Sequence, residues 1–352
     1  MNSFYKLSVS KIIQETPNAV SVVFAIPKNI QEKFSFKAGQ YITIKHTIHG
    51  EELRRAYSLC SSPNEKELKI GVKKVEGGTF SVFANEQLQE GDVLEVMPPQ
   101  GRFIVEPEKH PSNNYVCFAA GSGITPVLSI VKTILEEDET SNILLIYGNK
   151  TVTETMYYTE LKELHQQYQD RFLLEFILSQ SQETDALFGR IENSIINFFL
   201  KNKYKDIVFN DFYICGPEAM INEVKANLSE NGIEKSHIFY ELFTSSEADS
   251  NLSEAAVLDG NTKITITVDE ETYTFTMPQD KLILDAALKE DLDAPYSCRG
   301  GICSTCIAKV LEGNVRMVKN QILTDEEIEQ GLILTCQSHP VTSTLVIDYD
   351  EV

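Results

Sequence analysis

Short runs in which apolar and polar residues alternate fill the first hundred positions, and turn-forming residues close each run. Residues 20–26, 41–45, 68–73 and 93–96 follow this pattern. Successive side chains of a strand point to opposite faces, so alternation marks a sheet with one buried face. Many such strands at close spacing predict an antiparallel β-barrel over residues 1–110.

From residue 115 the period changes. An apolar run at 115–120 (YVCFAA) leads into Gly121-Ser122-Gly123-Ile124-Thr125-Pro126 and a helical stretch at 127–136. Strands follow at 143–147, 172–178 and 206–213, with helices at 156–169 and 218–228 between and after them. Strands alternating with helices predict an α/β domain with a parallel sheet over 111–243, and such sheets bind ligands at the C-terminal ends of their strands. Gly121, Thr125, Cys215, Gly216 and Pro217 all fall at such ends. A glycine loop that opens a helix places a pyrophosphate over the helix N-terminus, and Pro126 is tolerated in the first turn because its missing N–H is not needed there. The third glycine of the usual dinucleotide fingerprint is replaced by Pro126, and no acid follows the 143–147 strand, so the loop is not the standard motif.

Residues 244–259 are polar, without glycine or aromatics, and read as a linker. Beyond them, 263–268 (KITITV) and 272–276 (TYTFT) alternate as a strand pair, 281–290 is helix-like, and 345–349 forms a last strand of a domain at 260–352.

That last domain holds four of the seven cysteines. Cys298, Cys303, Cys306 and Cys336 are spaced C-x4-C-x2-C-x29-C, the plant-type [2Fe–2S] pattern. Two irons each need two thiolates, so a loop wrapping the cluster must supply several ligands at short intervals and one from elsewhere. Gly300 and Gly301 let amide N–H groups approach the sulfurs, and Ser304 and Thr305 add hydroxyl donors. Zinc ribbons pair two short cysteine knuckles, whereas Cys336 stands alone. The domain resembles the plant-type ferredoxin, a β-grasp fold, and the resemblance implies that these four cysteines are the iron ligands.

Composition narrows the class. The chain has 352 residues, 42% of them hydrophobic, enough for two or three domains. Its formal charge of -21 argues against nucleic acid as a partner. Residues 260–352 carry 16 acids against 7 bases, a face suited either to a basic docking partner or simply to solubility. There is no basic, apolar leader pattern, and no run approaches the ~18 apolar residues of a membrane span. The expectation is a cytoplasmic protein without membrane contact. The six histidines show no metal or triad spacing, and Cys60 and Cys117 read as buried structural thiols.

Within the barrel, Arg55-Ala56-Tyr57-Ser58 ends a strand. It offers a cation for a phosphate, an aromatic wall and a small hydroxyl. Gly77-Gly78-Thr79-Phe80-Ser81 opens a helix and offers an anion site. Together with G-S-G-I-T-P and Cys215-Gly216-Pro217, in this order, the pieces resemble the ferredoxin–NADP reductase superfamily over about residues 4–243. The resemblance implies that Arg55, Ala56, Tyr57, Ser58, Gly78, Thr79, Phe80 and Ser81 border a flavin. It further implies that Gly121, Gly123, Thr125, Pro126, Cys215, Gly216 and Pro217 hold the nicotinamide nucleotide. Glu241-Leu242-Phe243 has the form of the acid-x-aromatic segment that closes the domain against the flavin, so Phe243 joins the cofactor residues, and Cys215, Ser58 and Glu241 become the catalytic ones.

A reductase first and a ferredoxin last is similar to the reductase subunits of phenylacetyl-CoA epoxidase-type systems, which implies FAD, a [2Fe–2S] cluster, NADPH and an oxygenase partner. Ser179, Gln180 and Arg190 suit a 2′-phosphate, while Lys150 and Arg190 read equally as surface charges, so NADH stays open. Phthalate-type dioxygenase reductases share the domain order and use FMN. Three readings stand: a reductase of an oxygenase; a reductase of another acceptor, such as a hybrid-cluster protein, a desaturase or a dioxygenase; and a non-catalytic electron-carrying or redox-sensing module. The oligomeric state is left open.

Overall fold

The computed structural model describes residues 3–243 and 260–352, so the linker expected at 244–259 lies outside the described residues. The chain divides into two compact units, one of which is Phe4–Phe243 and the other the C-terminal region.

The first unit begins with β1 (Tyr5–Thr16), β2 (Ala19–Ala25), β3 (Tyr41–Ile48), β4 (Glu51–Ser58), β5 (Leu68–Lys73) and β6 (Val93–Val96), with α1 (Thr79–Glu86) between the last two. These strands form one antiparallel sheet in the order β4-β3-β6-β1-β2-β5. The sheet closes just past β4, where Leu59 bridges Ile70 of β5 and the Cys60 amide donates to the Lys69 carbonyl at 2.9 Å. Leu7, Ile42, Ile44, Leu59, Leu68 and Leu94 fill the barrel. The long strand β1 is poorly marked in the sequence because its register against β2 shifts twice, after Val9 and after Gln14, and each shift interrupts the alternation.

The same unit continues through β7 (Asn114–Ala120), α2 (Ile124–Glu137), β8 (Asn142–Asn149), α3 (Tyr158–Gln167), β9 (Phe172–Leu178), β10 (Ala186–Phe188), α4 (Asn193–Asn197), β11 (Asp211–Cys215), α5 (Glu218–Glu230) and β12 (Ile238–Glu241). The strands form an all-parallel sheet in the order β10-β9-β8-β7-β11-β12. The strand expected at 206–213 starts only at Asp211. Ile207 closes a turn onto the Tyr204 carbonyl, and the Val208 carbonyl accepts from Asn114 Nδ2 at 2.7 Å while its side chain stays 77% exposed. Helix α2 is buried almost all round, because it lies between this sheet and the barrel. Its core joins Cys60, Phe103 and Val105 of the barrel region to Ile130, Val131 and Ile134, which is why 4–243 behaves as one body.

The second unit contains β13 (Asn261–Val268), β14 (Glu271–Pro278), α6 (Ile283–Lys289), β15 (Ile307–Glu312), β16 (Val315–Met317), α7 (Asp325–Glu329), β17 (Leu332–Leu334), β18 (Ser338–Pro340) and β19 (Thr344–Asp348). Five strands make a mixed sheet in the order β14-β13-β19-β15-β17, with β13 and β19 parallel, and β16 pairs with β18 apart from it. In β13 the alternating Ile264, Ile266 and Val268 face inward onto Ile283, Leu284 and Ala287 of α6. A helix gripped by a mixed sheet is the β-grasp arrangement.

Candidate functional site

The first site is the cysteine loop between α6 and β15. Cys303, Cys306 and Cys336 are buried and Cys298 is partly exposed. Cys298 lies within hydrogen-bonding reach of Cys303 and Cys336, and Cys306 within reach of Cys336. The contacts run Cys303–Cys298–Cys336–Cys306, which gathers all four thiols at one place. Main-chain amides reach the sulfur, with Gly300 N–H donating to Cys298 Sγ at 3.3 Å, and Thr305 Oγ1 lies 3.6 Å from Cys303 Sγ. Gly301 has φ 72°, and an added Cβ would stand 3.0 Å from the Lys319 carbonyl oxygen, so the loop tolerates only glycine there. These donors fit a [2Fe–2S] cluster.

The second site lies where the barrel meets the parallel sheet. Residues 55–58 end β4 as expected. Arg55 is exposed and its Nη1 donates to the Arg54 carbonyl, while the Tyr57 ring packs on Phe80 at 5.4 Å. Phe80 departs from expectation: its side chain is buried in the barrel core, so only its main chain is available to a ligand. Ser81 is also turned inward, its hydroxyl accepting from the Val75 amide at 3.2 Å and bracing the loop. Gly78 caps α1 without any side-chain bond, and the first amides of this helix form a ready anion site beside Thr79.

The nucleotide loop is shaped by contact. Gly121 has φ 55°, and its carbonyl accepts from the Tyr147 hydroxyl at 2.9 Å. A Cβ on Gly123 would lie 2.1 Å from the Cys215 carbonyl oxygen, so the G-S-G turn and the Cys215-Gly216 turn touch only because glycine stands here. Thr125 donates to the Ser122 carbonyl, and Thr125 and Pro126 are buried in the first turn of α2. Pro217 caps α5. The cradle left by these turns suits a phosphate-bearing nucleotide.

Three side chains named in the sequence converge at this junction. Cys215 ends β11 and pairs in register with Glu241 of β12. Ser58, at the end of β4, donates to Glu241 Oε2 at 2.9 Å across 183 positions of chain. Burial pushes the Glu241 carboxyl up to about 8, opposed by the Ser58 hydrogen bond, so it keeps its proton at neutral pH. Burial, then the neighbouring Glu241, pushes the Cys215 thiol well above its usual range. Phe243 packs beside them against the shared core. Sequence reasoning missed Tyr157, Lys132 and Gly71 at the same junction, since none of them belongs to a motif. Arg190 and Lys150 are exposed, next to the ends of β9 and β8.

The chain matches the oxidoreductase FAD-binding domain family over residues 6–104, the oxidoreductase NAD-binding domain family over 118–226 and the 2Fe-2S iron-sulfur cluster binding domain family over 266–341. It is 39% identical to one of the subunits of 1,2-phenylacetyl-CoA epoxidase from Escherichia coli (strain K12), covering 99% of each chain. It is 31% identical to the ferredoxin reductase component of 3-ketosteroid-9-alpha-monooxygenase from Rhodococcus rhodochrous, covering 97% of this chain and 96% of that one. Phthalate dioxygenase reductase shares the fold with a TM-score of 0.61 at 21% identity, covering 98% of both chains. Among the described residues no helix is long and apolar enough to cross a membrane. The chain is therefore an oxidoreductase that uses FAD, a pyridine nucleotide and a [2Fe–2S] cluster, and it belongs to the ferredoxin–NADP reductase superfamily in the form that carries a C-terminal plant-type ferredoxin domain.

Proposed function

We propose that this reductase takes reducing equivalents from NADPH and delivers them singly to the oxygenase component of a phenylacetyl-CoA epoxidase-type system. The observation that carries the reading is the buried contact of Ser58 with Glu241 beside Cys215, which joins the end of the flavin barrel to the ends of the nucleotide-binding strands. A bound flavin supplies the conversion of a two-electron hydride donor into single electrons that a [2Fe–2S] cluster carries.

Each domain then has a role. Residues 1–110 hold FAD through Arg55, Tyr57, Ser58 and the amides at Gly78 and Thr79. Residues 111–243 seat the nucleotide over Gly121, Gly123 and Thr125, with Cys215-Gly216-Pro217 against the nicotinamide. Residues 244–259 are the linker, and 260–352 carry the cluster on Cys298, Cys303, Cys306 and Cys336. Glu241 holds a proton below pH 8, and Ser58 fixes the orientation of its carboxyl group. Phe243 and the buried thiol of Cys215 keep water from the junction.

NADPH is favoured by the ends of β8 and β9. Asn149 ends β8 and Lys150 follows it, without an acid, and their carbonyls accept from the Ser179 and Gln180 amides at 3.0 and 2.8 Å, which brings two polar strand ends together. Arg190 follows Gly189, whose amide donates to the Leu178 carbonyl, and so supplies a cation near them. The partner rests on likeness to the epoxidase protein.

Anaerobic stopped-flow mixing with NADPH and with NADH tests the scheme. Bleaching of flavin and then cluster absorbance, faster with NADPH, is expected. Flavin reduction that never reaches the iron–sulfur bands, or a preparation lacking inorganic sulfide, would defeat the relay. Steady-state NADPH oxidation that a phenylacetyl-CoA epoxidase oxygenase component accelerates, and a ketosteroid oxygenase does not, is expected of the partner assignment.

A further inference from the structure

Tyr157 stands between the barrel and the nucleotide-binding layer, and the functional reading leaves it unused. It caps α3 with φ 58°, the left-handed region that a bulky residue occupies only at a cost. Its neighbours account for that conformation. The side chain is 2% exposed, and its hydroxyl presses on Gly71 of β5 so closely that a Cβ there would lie 2.3 Å from the phenolic oxygen and 2.7 Å from Thr125 Cγ2. Tyr157 and Thr125 of the nucleotide loop thus share one bare patch of barrel wall.

The hydroxyl is held from the barrel side as well. It lies 3.0 Å from Ser21 Oγ on β2 and 3.3 Å from Cys60 Sγ just past β4. Counting protons orders the chain. Ser21 donates its single hydrogen to Glu15 Oε1 at 2.6 Å, and the Cys60 thiol points its own at the Lys69 carbonyl at 3.4 Å. Tyr157 is therefore the donor on both sides, its one hydrogen shared between Cys60 Sγ and Ser21 Oγ, and burial, which keeps its phenol far above the usual range, ensures that the proton is there to give. A second tie lies one turn away: Glu160 of α3 pairs with Lys132 of α2, which is 3% exposed and also reaches Glu65 of the barrel region at 2.8 Å. The start of α3 is anchored to the barrel twice within four residues.

We propose that Tyr157 is a positioning residue: its hydroxyl, seated between Ser21, Cys60 and Gly71, fixes the nucleotide loop at Thr125 against the flavin barrel and so sets the register in which nicotinamide meets flavin. The inference rests on the hydride-transfer reading above and deepens it. Tyr157 touches no reacting atom. Its effect passes through Thr125 and α3, and a sub-ångström shift of register is enough to slow a transfer that depends on aligned, close-packed partners.

The test uses the full holoprotein with Tyr157→Phe, Ser21→Ala and the double variant. Phenylalanine keeps the ring in place and Ser21 keeps its bond to Glu15 when the phenolic hydroxyl is removed, so the Phe variant is expected to fold and keep FAD. Flavin reduction by NADPH in stopped flow is expected to slow about tenfold in each single variant, with a weakened nicotinamide–flavin charge-transfer band and little change in the nucleotide's half-saturation. The double variant is expected to be slowed by less than the product of the two single effects, because both remove the shared Tyr157–Ser21 contact. Cluster reduction by dithionite is expected to stay at the wild-type rate. Should Tyr157→Phe lose FAD, Ser21→Ala decides the matter from the other side. Wild-type rates and charge-transfer absorbance in both single variants would overturn the inference alone, whereas a wild-type protein that NADPH and NADH both fail to reduce would overturn the functional reading and this inference with it.

Discussion

The cysteine loop and the junction of Ser58 with Glu241 gather their side chains by opposite construction. In the loop, three of the four cysteines come from one nine-residue stretch, and the supports are main-chain bonds from within the same domain: Gly300 N–H to Cys298 Sγ, Gln321 N–H to the Gly301 carbonyl, and Thr335 N–H to the Cys306 carbonyl. At the junction, Ser58 and Glu241 are 183 positions apart and meet only because the barrel and the parallel sheet pack into one body. A site built locally survives small changes elsewhere and fails when a ligand is lost. A site built by packing keeps its residues and fails when its two halves slip.

The largest expected effect separates the two directly. Cys336→Ser removes a thiolate that the other three cannot replace, so iron and sulfide content and the visible cluster bands are expected to vanish. Flavin reduction by NADPH is expected to continue at the wild-type rate, because the neighbours of that thiol, Cys298 and Cys306, belong to the ferredoxin domain and not to the flavin or nucleotide site. Loss of FAD or of nucleotide turnover in this variant would show that the sites are not independent.

Glu241 gives the next effect, through pH. Its carboxyl releases its proton at about 8 in the fold, chiefly because it is buried, and near 4.3 when unfolded. Between these values the folded protein binds the extra proton, so the stability it contributes is whole at acid pH and drains away as pH rises through 8. The ceiling of this term is roughly 5 kcal/mol, reduced by whatever water reaches the site. Glu241→Gln keeps the bond from Ser58 and cannot ionise. Melting temperatures measured from pH 5 to 9 are expected to fall more steeply for the wild type than for the variant, and parallel curves would sink the assignment.

Gly71→Ala strikes the contact of barrel and sheet. The new methyl would overlap Tyr157 and Thr125, and relief by small shifts is expected to cost about 1–3 kcal/mol. A lower melting temperature and slower flavin reduction, with unchanged iron content, are expected. A fall in iron content would mean that the junction supports the cluster after all.

The two sites were unequally legible for the same reason. C-x4-C-x2-C is written on consecutive residues, so spacing alone carried the cluster, and alternation in β13 announced the sheet around it. The barrel and the parallel sheet were legible as periods, except where β1 is bulged and where Ile207 and Val208 imitate a strand while forming a turn. The junction has no local signature. Glu241 was found by the form of its segment rather than by the short strand β12 that places it, and Phe80 looked like a flavin neighbour although its ring completes the barrel core. Tyr157 and Gly71 could not be found at all, since their significance is a contact between residues far apart in sequence.

Thr335→Val gives the smallest effect and probes how self-sufficient the cysteine loop is. Thr335 is fully buried; its N–H and hydroxyl both donate to the Cys306 carbonyl, at 3.1 and 3.0 Å, and its oxygen accepts from the Tyr349 hydroxyl at 2.9 Å. Valine keeps the shape and the N–H bond but strands the Tyr349 hydroxyl, a loss of about 1–2 kcal/mol in denaturant unfolding. Because an unpaired buried hydroxyl costs more than a missing pair, Thr335→Val combined with Tyr349→Phe is expected to recover part of that loss. The cluster is expected to remain at full occupancy in both, since the main-chain bond still holds the Cys306 carbonyl. If iron content falls instead, side chains and not the backbone hold the loop, and the contrast between a locally built site and a packed one narrows to a difference of degree.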